Sequence, residues 1–189
     1  MSKVGVAFNI LERGESLPPG YTKSSRHIFF DVCMSFQRKA RWVKDGHRTP
    51  DTDMSSYAGV VSRESIRILL TNSDLHGVLV MAADVRNDYL QAPTSEKHFV
   101  ICGPEFGIEN IFKKAIITRA LYGGKVARRE FWHHLQSCMK FLGFVYSQAD
   151  PDVWMRESVR KYESTKYYEY ILLYTDDCLV ISNLGENLL

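Results

Sequence analysis

The stretch YILLYTDDCLVIS, residues Tyr170–Ser182, places two adjacent carboxylates between two apolar runs. The runs Tyr170–Tyr174 and Cys178–Ile181 are short and rich in aromatic, β-branched and aliphatic residues, a composition typical of buried strands. Between them, Thr175–Asp177 predicts a tight hairpin turn, although two-residue turns usually contain glycine because they need a positive φ. Asp is tolerated in an ordinary turn, but adjacent carboxylates repel each other and normally call for a cation.

The composition is that of an ordinary globular protein. With 189 residues, 45% of them hydrophobic and 24% charged, the chain can form one or two domains with a sizeable core. The four cysteines (Cys33, Cys102, Cys138, Cys178) are far apart, which argues against a disulfide framework or a zinc site. There is no signal-peptide pattern, and no apolar stretch approaches the roughly 18 residues of a membrane span. We therefore expect an intracellular, reduced protein without a membrane partner.

Basic residues are concentrated in three segments, although the formal net charge is only +2. The segments are Arg38–Arg48, Lys113–Arg119 and Lys125–Arg129. A single cluster of this kind is usually a solvated face. Three clusters in a chain that also carries paired carboxylates fit a polyanionic ligand better.

Hydrophobic patterning predicts interspersed strands and helices. Residues 1–25 contain LPPG and weak periodicity, which indicates a loop-rich leading segment, and residues 26–46 predict strand, turn, strand. One helix is predicted after Ser62 as N-cap, and another is predicted to end at Gly143. Further strands are predicted in VLVMAADV, KHFVIC, DVWMRE and EYILLYTDD. This order is typical of an α+β domain with helices on one face of a hairpin-rich sheet.

A third carboxylate, Asp84, ends a buried strand as Asp176 does. If these strands are neighbours in one sheet, Asp84, Asp176 and Asp177 converge at a common edge. Mg²⁺ prefers such hard oxygen ligands and commonly shares its shell with substrate phosphates. Two Mg²⁺ ions held there would activate a 3′-hydroxyl and stabilise a leaving pyrophosphate.

Successive blocks of the chain resemble the reverse transcriptase domain of copia-type LTR retrotransposon polyproteins. The blocks are ADVRNDYLQAP, RALYGGKVARREFWHHL, SQADPDVWMRE and YEYILLYTDDCLVIS, preceded by RKARWVKDGH and SSYAGVVSRESIRILL. They stand in the family's order and run from about Arg26 to Ile181. Tyr-x-Asp-Asp alone is weakly specific, but its combination with Asp-x-x-x-x-Tyr-Leu and Leu-Tyr-Gly-x-Lys is strongly specific.

The resemblance implies a right-hand-like polymerase fold of fingers and palm, with an antiparallel palm sheet backed by helices. It divides the chain into a leading segment (1–25), fingers (mainly 26–61 and 91–126) and palm (mainly 62–90 and 127–189). Because the chain ends at Leu189, soon after the Asp-Asp turn, we expect it to lack a thumb, a connection and an RNase H segment. It is then interpreted as a fragment of a polyprotein, or as a truncated or degenerate copy.

The resemblance also implies roles for individual residues. Asp84, Asp176 and Asp177 would be the catalytic carboxylates and, with the backbone of Val85, would hold two Mg²⁺ ions, for which Mn²⁺ can substitute. Tyr89 would exclude a ribose 2′-hydroxyl, although on its own it would be interpreted as a core tyrosine. The nucleotide-contacting residues would be Lys39, Arg41, Arg86, Tyr89, Tyr122 and Gly123, with the choice between Lys39 and Arg41 for the triphosphate left open.

The chain departs from the family pattern at Asp88, where a small residue is usual. If the chain turns helically after Asp84, Asp88 lies on the same side as Asp84 and repels a triphosphate. Alternatively, Asp88 pairs with Arg86 or Lys125, or recruits a metal. Three further departures affect the loop on the nucleotide side: Gly124, Val126 and Arg128.

Three functions remain open at this point. The first is an RNA-directed DNA polymerase that adds dNTPs to a primer on an RNA or DNA template, within a retrotransposon particle in the cytoplasm or in the nucleus. The second is a folded, non-catalytic remnant that binds nucleic acid or a partner such as the remainder of the polyprotein. The third is an unrelated Mg²⁺ phosphotransferase or phosphatase, which is disfavoured because the chain has no phosphate-cradling Gly-x-x-x-x-Gly-Lys loop.

Overall fold

The computed structural model describes residues 7–32, 34, 36–49, 55–160 and 165–183. Cys33 and the chain end at Leu189 lie outside the described residues. Within them the chain forms a mixture of strands and a few helices, which confirms the α+β prediction in its coarse form. No helix in the described part of the chain is long and apolar enough to cross a membrane.

The elements alternate along the chain as the hydrophobic pattern predicts. The strands are β1 (Phe8–Ile10), β2 (Thr22–Lys23), β3 (Arg26–Val32), β4 (Arg38–Lys44), β5 (Val80–Asp84), β6 (His98–Ile101), β7 (Lys114–Ile117), β8 (Val145–Tyr146), β9 (Val153–Val159), β10 (Lys166–Tyr174) and β11 (Asp177–Ile181). The α-helices whose bounds lie within the described residues are α1 (Arg63–Leu75), α2 (Asp88–Gln91) and α3 (Ala127–Phe141).

The chain divides into two compact units. Unit 1 comprises Met1–Tyr57 and Asn87–Phe131, and unit 2 comprises Ala58–Arg86 and Trp132–Leu189. Each unit has its own sheet and its own apolar cluster. The residues singled out in the sequence are therefore described unit by unit.

Unit 1 contains a four-stranded sheet in the order β1-β7-β6-β2 and a separate β3–β4 hairpin. The hairpin confirms the predicted strand, turn, strand, with Ile28 opposite Trp42 in the antiparallel register. The leading segment is mostly loop in its described residues, and it also contains β1 and β2, which join the sheet, with the side chains of Phe8 and Leu11 buried. Strands of two or three residues are too short to produce a recognisable period in the sequence.

Unit 2 contains an antiparallel sheet in the order β5-β11-β10-β9-β8. Helix α1 begins as predicted at Ser62, whose Oγ accepts a hydrogen bond of 3.1 Å from Ser65 N. The carboxylate of Asp150 extends this cap, since it accepts from Ser62 N at 2.9 Å and from Ser65 Oγ at 2.7 Å. Apolar side chains of α1, Ile66 and Leu69, pack against the core cluster of the sheet.

A buried ion pair joins the two central strands β9 and β10. Glu169 is fully buried and lies opposite Arg156 in the register, with Arg156 Nη2 2.8 Å from Glu169 Oε2. Ser182 Oγ donates to the other oxygen, Glu169 Oε1, at 2.6 Å. Arg156 also donates to the Leu142 carbonyl at 2.7 Å, so that one guanidinium ties the segment after α3 to the sheet.

Replacing Arg156 by Met should lower the free energy of unfolding by about 3 kcal/mol, because the buried Glu169 carboxylate then loses its counter-charge. The matched control is Lys166→Met on the same strand pair. Lys166 lies 4.0 Å from Glu157 in an exposed ion pair, and such pairs contribute about 0–1 kcal/mol. Urea unfolding of the two variants measures the difference, and equal losses would contradict the buried-pair argument.

Candidate functional site: a carboxylate cluster at a sheet edge

The pairing of β5 with β11 brings the predicted carboxylates together in unit 2. Asp84 and Asp177 are directly opposite each other in the antiparallel register. Asp176 occupies the turn that precedes β11, and its carbonyl accepts a hydrogen bond of 2.8 Å from Val85 N. The two chain segments are therefore fixed to each other at the point where the carboxylates lie.

The charges of all three carboxylates act on one neighbouring thiol. Burial, followed by the negative charges of Asp177, Asp176 and Asp84, raises the pKa of Cys178 to about 11. The thiol is therefore a poor nucleophile and a poor metal ligand at neutral pH. Asp84 and Asp177 are themselves exposed, so a ligand can reach their oxygens.

A cavity of about 390 Å³ adjoins the carboxylates within unit 2. It is lined by Asp84, Asp177 and Cys178 and by apolar side chains that include Ile66 and Leu172. Electrostatic interactions are stronger beside apolar walls than in open water. The carboxylates thus lie at a surface that is partly charged and partly apolar.

The turn between β10 and β11 contains a positive φ although neither of its two residues is glycine. Thr175 has φ 58°, in the left-handed region, and no positive φ occurs at Asp176. A positive φ at the first of two loop residues is the arrangement for which hairpins usually use glycine. A β-branched residue in this region is strained, and residues held in such conformations cluster at functional sites.

The carboxylate set suits a hard divalent cation by its chemistry. No group of three or more His, Cys, Asp or Glu side chains in the described residues is arranged to hold a metal ion by itself. Mg²⁺ does not need such a cage, because it commonly binds through one or two carboxylates, water and substrate phosphates. The opposed pair Asp84 and Asp177, with Asp176 in the adjoining turn, fits that mode of binding.

The backbone leaves strand geometry after Asp84, as the resemblance requires. Strand β5 ends at Asp84, Asn87 has φ 54°, and helix α2 follows. Arg86, one of the predicted nucleotide-contacting residues, lies in unit 2 and is exposed. The remaining predicted contacts lie in unit 1.

Lys39 and Arg41 lie two residues apart on β4 of the hairpin, so their side chains leave the same face. Lys39 is exposed and is opposite Asp31 in the register. Arg41 is half-buried, and its Nη1 lies 3.8 Å from Asp31 Oδ2. This exposed pairing is weak, and both cations are accessible to an anionic ligand.

Tyr89 packs against other aromatic rings of unit 1. Its ring centroid is 4.9 Å from that of Tyr122 and 5.9 Å from that of Phe131, both in edge-to-face geometry. Gly123 has φ 81°, and a Cβ there would lie 2.1 Å from the Lys44 carbonyl oxygen. Tyr89 therefore has a fixed orientation, and only glycine fits at position 123.

Asp88 has a partner that the sequence analysis did not consider. Its side chain is buried, 3% exposed, and accepts a hydrogen bond from the Tyr122 hydroxyl. Burial and this bond raise the pKa of Tyr122. The Asp88 side chain is therefore enclosed in the fold and bonded to Tyr122, and its effect on an incoming triphosphate stays a prediction.

One member of the predicted basic clusters needs correction: Lys44 is buried and bonded to Glu96 and His98 rather than part of a solvated face. Lys125 is half-buried, and its Nζ donates to the Thr49 carbonyl at 2.8 Å. Val126, one of the departures from the family pattern, is 1% exposed and belongs to the core.

Sequence reasoning did not identify Thr175 as the turn residue that takes the positive φ, and it missed the cluster around Lys44. The first had a signal, since a two-residue hairpin turn without glycine implies strain. The second had none, because Lys44, Glu96 and His98 are separated along the chain and only the fold brings them together.

The comparisons with known proteins define the class of this protein. A family model described as reverse transcriptase (RNA-dependent DNA polymerase) matches residues 25–188. Because this match covers most of the chain, the chain belongs to the reverse transcriptase family.

Within that family the chain is similar to copia-type Pol polyproteins, which confirms the predicted resemblance. It is 28% identical to the retrovirus-related Pol polyprotein from transposon RE1 of Arabidopsis thaliana, over 77% of this chain and 10% of the relative. It is also 28% identical to that of transposon RE2 of the same plant, over 88% and 12%. For transposon TNT 1-94 of Nicotiana tabacum the identity is 28%, over 79% and 11%. The chain therefore spans about a tenth of the length of these relatives.

Replacing Thr175 by glycine should raise the free energy of unfolding by about 1 kcal/mol, because glycine adopts a positive φ without the left-handed penalty of roughly 1–2 kcal/mol. Thr175→Ala is the matched control, since alanine also loses the hydroxyl and methyl groups but keeps the Cβ and with it the penalty. Denaturant unfolding distinguishes the two variants. If alanine stabilises as much as glycine, the strain does not reside in the backbone of residue 175.

Proposed function

We propose that this chain is the RNA-directed DNA polymerase domain of a retrotransposon polyprotein, which adds dNTPs to a primer 3′-hydroxyl on an RNA or DNA template. The observation that carries the proposal is the direct opposition of Asp84 and Asp177 on neighbouring strands, with Asp176 in the adjoining turn. Membership of the reverse transcriptase family supports it. The remainder of the polyprotein would be its covalent partner, since each relative is much longer than this chain.

In this proposal unit 1 corresponds to the fingers and unit 2 to the palm. The antiparallel sheet of unit 2, with α1 packed on its core, supports the comparison with a palm. The β3–β4 hairpin of unit 1, with two accessible cations on one strand, supports the comparison with fingers.

Asp84 and Asp176 would carry most of the binding of two Mg²⁺ ions, with Asp177 and the Val85 carbonyl in support. When bound, such ions activate the attacking hydroxyl and stabilise the leaving pyrophosphate. The protein's own contribution is to hold the carboxylates in place. The strand pairing and the bond from Val85 N to the Asp176 carbonyl provide this rigidity.

The residues of unit 1 would position the nucleotide. Lys39 or Arg41 would contact the triphosphate, with the choice between them still open, and Arg86 stays a separate predicted nucleotide contact. The Tyr89 ring would exclude the ribose 2′-hydroxyl by its volume, and its packing on Tyr122 supports this role because a gate must be rigid. Tyr122 and Gly123 would lie near the nucleotide and the template.

Replacing Asp176 by Asn should reduce primer extension at least about a hundredfold, equivalent to about 2.7 kcal/mol of activation free energy. An amide cannot supply the charge that balances the cation. The measurement is extension of oligo(dT) on poly(rA) by the whole chain with Mg²⁺ or Mn²⁺. Asp74→Asn, an exposed carboxylate of α1 in the same unit, is the control and should retain activity. Absence of extension by the parent chain with either metal would favour the non-catalytic remnant.

Replacing Tyr89 by Ala should raise the use of ribonucleotides relative to deoxyribonucleotides by about tenfold, the order of discrimination that steric fit supplies. Tyr89→Phe keeps the ring and should keep the parent's selectivity. Competitive incorporation of paired rNTP and dNTP substrates gives the ratio. An unchanged ratio in an active Tyr89→Ala variant would assign Tyr89 to the core alone.

A further inference from the structure

Unit 1 contains a buried cluster of three ionisable side chains that the proposed reaction does not use. Lys44 Nζ lies 2.6 Å from Glu96 Oε2 and 2.7 Å from His98 Nδ1. The three side chains are 2%, 4% and 8% exposed, respectively. Lys44 is the last residue of β4, His98 is the first of β6, and Glu96 precedes β6. The ammonium group therefore links the hairpin to the four-stranded sheet.

The backbone around Lys44 is joined to the loop that carries Tyr122. Lys44 N donates to the Tyr122 carbonyl at 2.8 Å, and Gly46 N donates to the Gly123 carbonyl at 3.2 Å. A Cβ on Gly46 would lie 2.1 Å from the Gly123 carbonyl oxygen. The backbone of residues 44–46 is thus in direct contact with the backbone of residues 122–123.

The negative charge of Glu96 in this cluster is balanced by the positive charge of Lys44. Glu96 Oε1 is buried without a hydrogen-bond partner among the described residues, so the carboxylate depends on Lys44 for its counter-charge. A Cβ on Gly124 would lie 3.1 Å from Glu96 Oε2. Gly124 is one of the departures from the family pattern, and its lack of a side chain leaves space for the Glu96 carboxylate beside the loop that carries Tyr122 and Gly123.

We propose that Lys44, Glu96 and His98 are positioning residues for nucleotide binding. Their cluster fixes the base of the strand that bears Lys39 and Arg41 against the loop that bears Tyr122 and Gly123. The role in nucleotide binding rests on the proposed polymerase function, whereas the anchoring of hairpin to loop does not. The cluster touches no nucleotide and acts only through the segments that it holds.

His98 makes the anchor dependent on pH. The imidazole can accept from Lys44 only through an unprotonated Nδ1. Burial, followed by the charge of Lys44, lowers the pKa of His98 and outweighs the opposing charge of Glu96, whose Oε1 lies 3.9 Å from His98 Nδ1. The unfolded chain therefore binds the proton more readily, and the stabilisation is present at pH above the ordinary histidine value and is lost as the pH falls below it.

Other charged groups lie near the cluster, and the experiment must distinguish their titration from that of His98. Glu130 and Lys125 act on Lys44 by their charges. A second histidine lies close by, since His27 Nδ1 is 2.7 Å from Asp45 Oδ1 at the adjacent position of the chain. His27→Gln is therefore the matched control for His98→Gln. The glutamine introduced at position 98 can still accept a hydrogen bond from Lys44 through its amide oxygen, and it does not titrate.

The first test measures anchoring without reference to activity. Hydrogen exchange gives protection factors for the amides of Lys44 and Gly46 between pH 7.5 and 5.5, with Leu173 N, bonded to the Asp152 carbonyl in unit 2, as internal reference. We expect a several-fold loss of protection at Lys44 and Gly46, up to about the tenfold limit that one histidine can impose over this pH range, in the parent and in His27→Gln. We expect a much smaller loss in His98→Gln. The same loss in His98→Gln as in the parent, or a parallel loss at Leu173, would overturn the proposal.

The second test measures nucleotide binding in primer extension. Lys44→Met should raise the KM for dNTP about tenfold, or about 1.4 kcal/mol, with a smaller change in kcat. The double variant Lys44→Met, Glu96→Leu should recover part of the lost affinity, because it removes the buried carboxylate that Lys44→Met leaves without a counter-charge. The double variant also keeps the test decisive if Lys44→Met does not fold. An unchanged KM in both variants would refute the positioning role. If the parent extends no primer, the polymerase proposal fails, while the exchange measurement still decides the anchoring.

Discussion

The antiparallel pairing of β5 with β11 is the constraint on which the candidate site depends. It sets Asp84 directly opposite Asp177, although like charges in opposed positions destabilise a sheet. Apolar burial on β11 compensates, since Val180 and Ile181 are each 1% exposed. The site is thus a local electrostatic conflict that the surrounding core holds in place, which is the arrangement expected where a cation is to be bound.

The two units each contain a buried ion pair, and the two pairs differ in kind. Arg156 and Glu169 join neighbouring strands of one sheet, and Ser182 satisfies the second carboxylate oxygen. Lys44 and Glu96 join a hairpin to a different sheet, and the second carboxylate oxygen has no hydrogen-bond partner among the described residues. The first pair is a well-satisfied part of a core, whereas the second leaves its segment more sensitive to loss of one charge.

Local signals predicted much of this structure from sequence. The β10–β11 hairpin, the β3–β4 hairpin and the Ser62 cap all follow from patterns within a few residues, and the structure contains each of them. The strands of the leading segment gave no such signal because they are too short to show a period. The burial of Asp88 against Tyr122, and of Lys44 against Glu96, depends on contacts between distant parts of the chain. Residue type alone indicates charge, and only the fold decides whether that charge is solvated or enclosed.

The elevated pKa of Cys178 has a consequence for the redox chemistry of this protein. With a pKa of about 11, only about one molecule in ten thousand carries the thiolate at pH 7. Oxidation to sulfenic acid and attack on disulfides both proceed through the thiolate. Burial of the sulfur, reinforced by the negative charges of the carboxylates beside it, therefore disfavours its ionised form. Oxidants should in consequence react slowly at the strand that holds the cluster together.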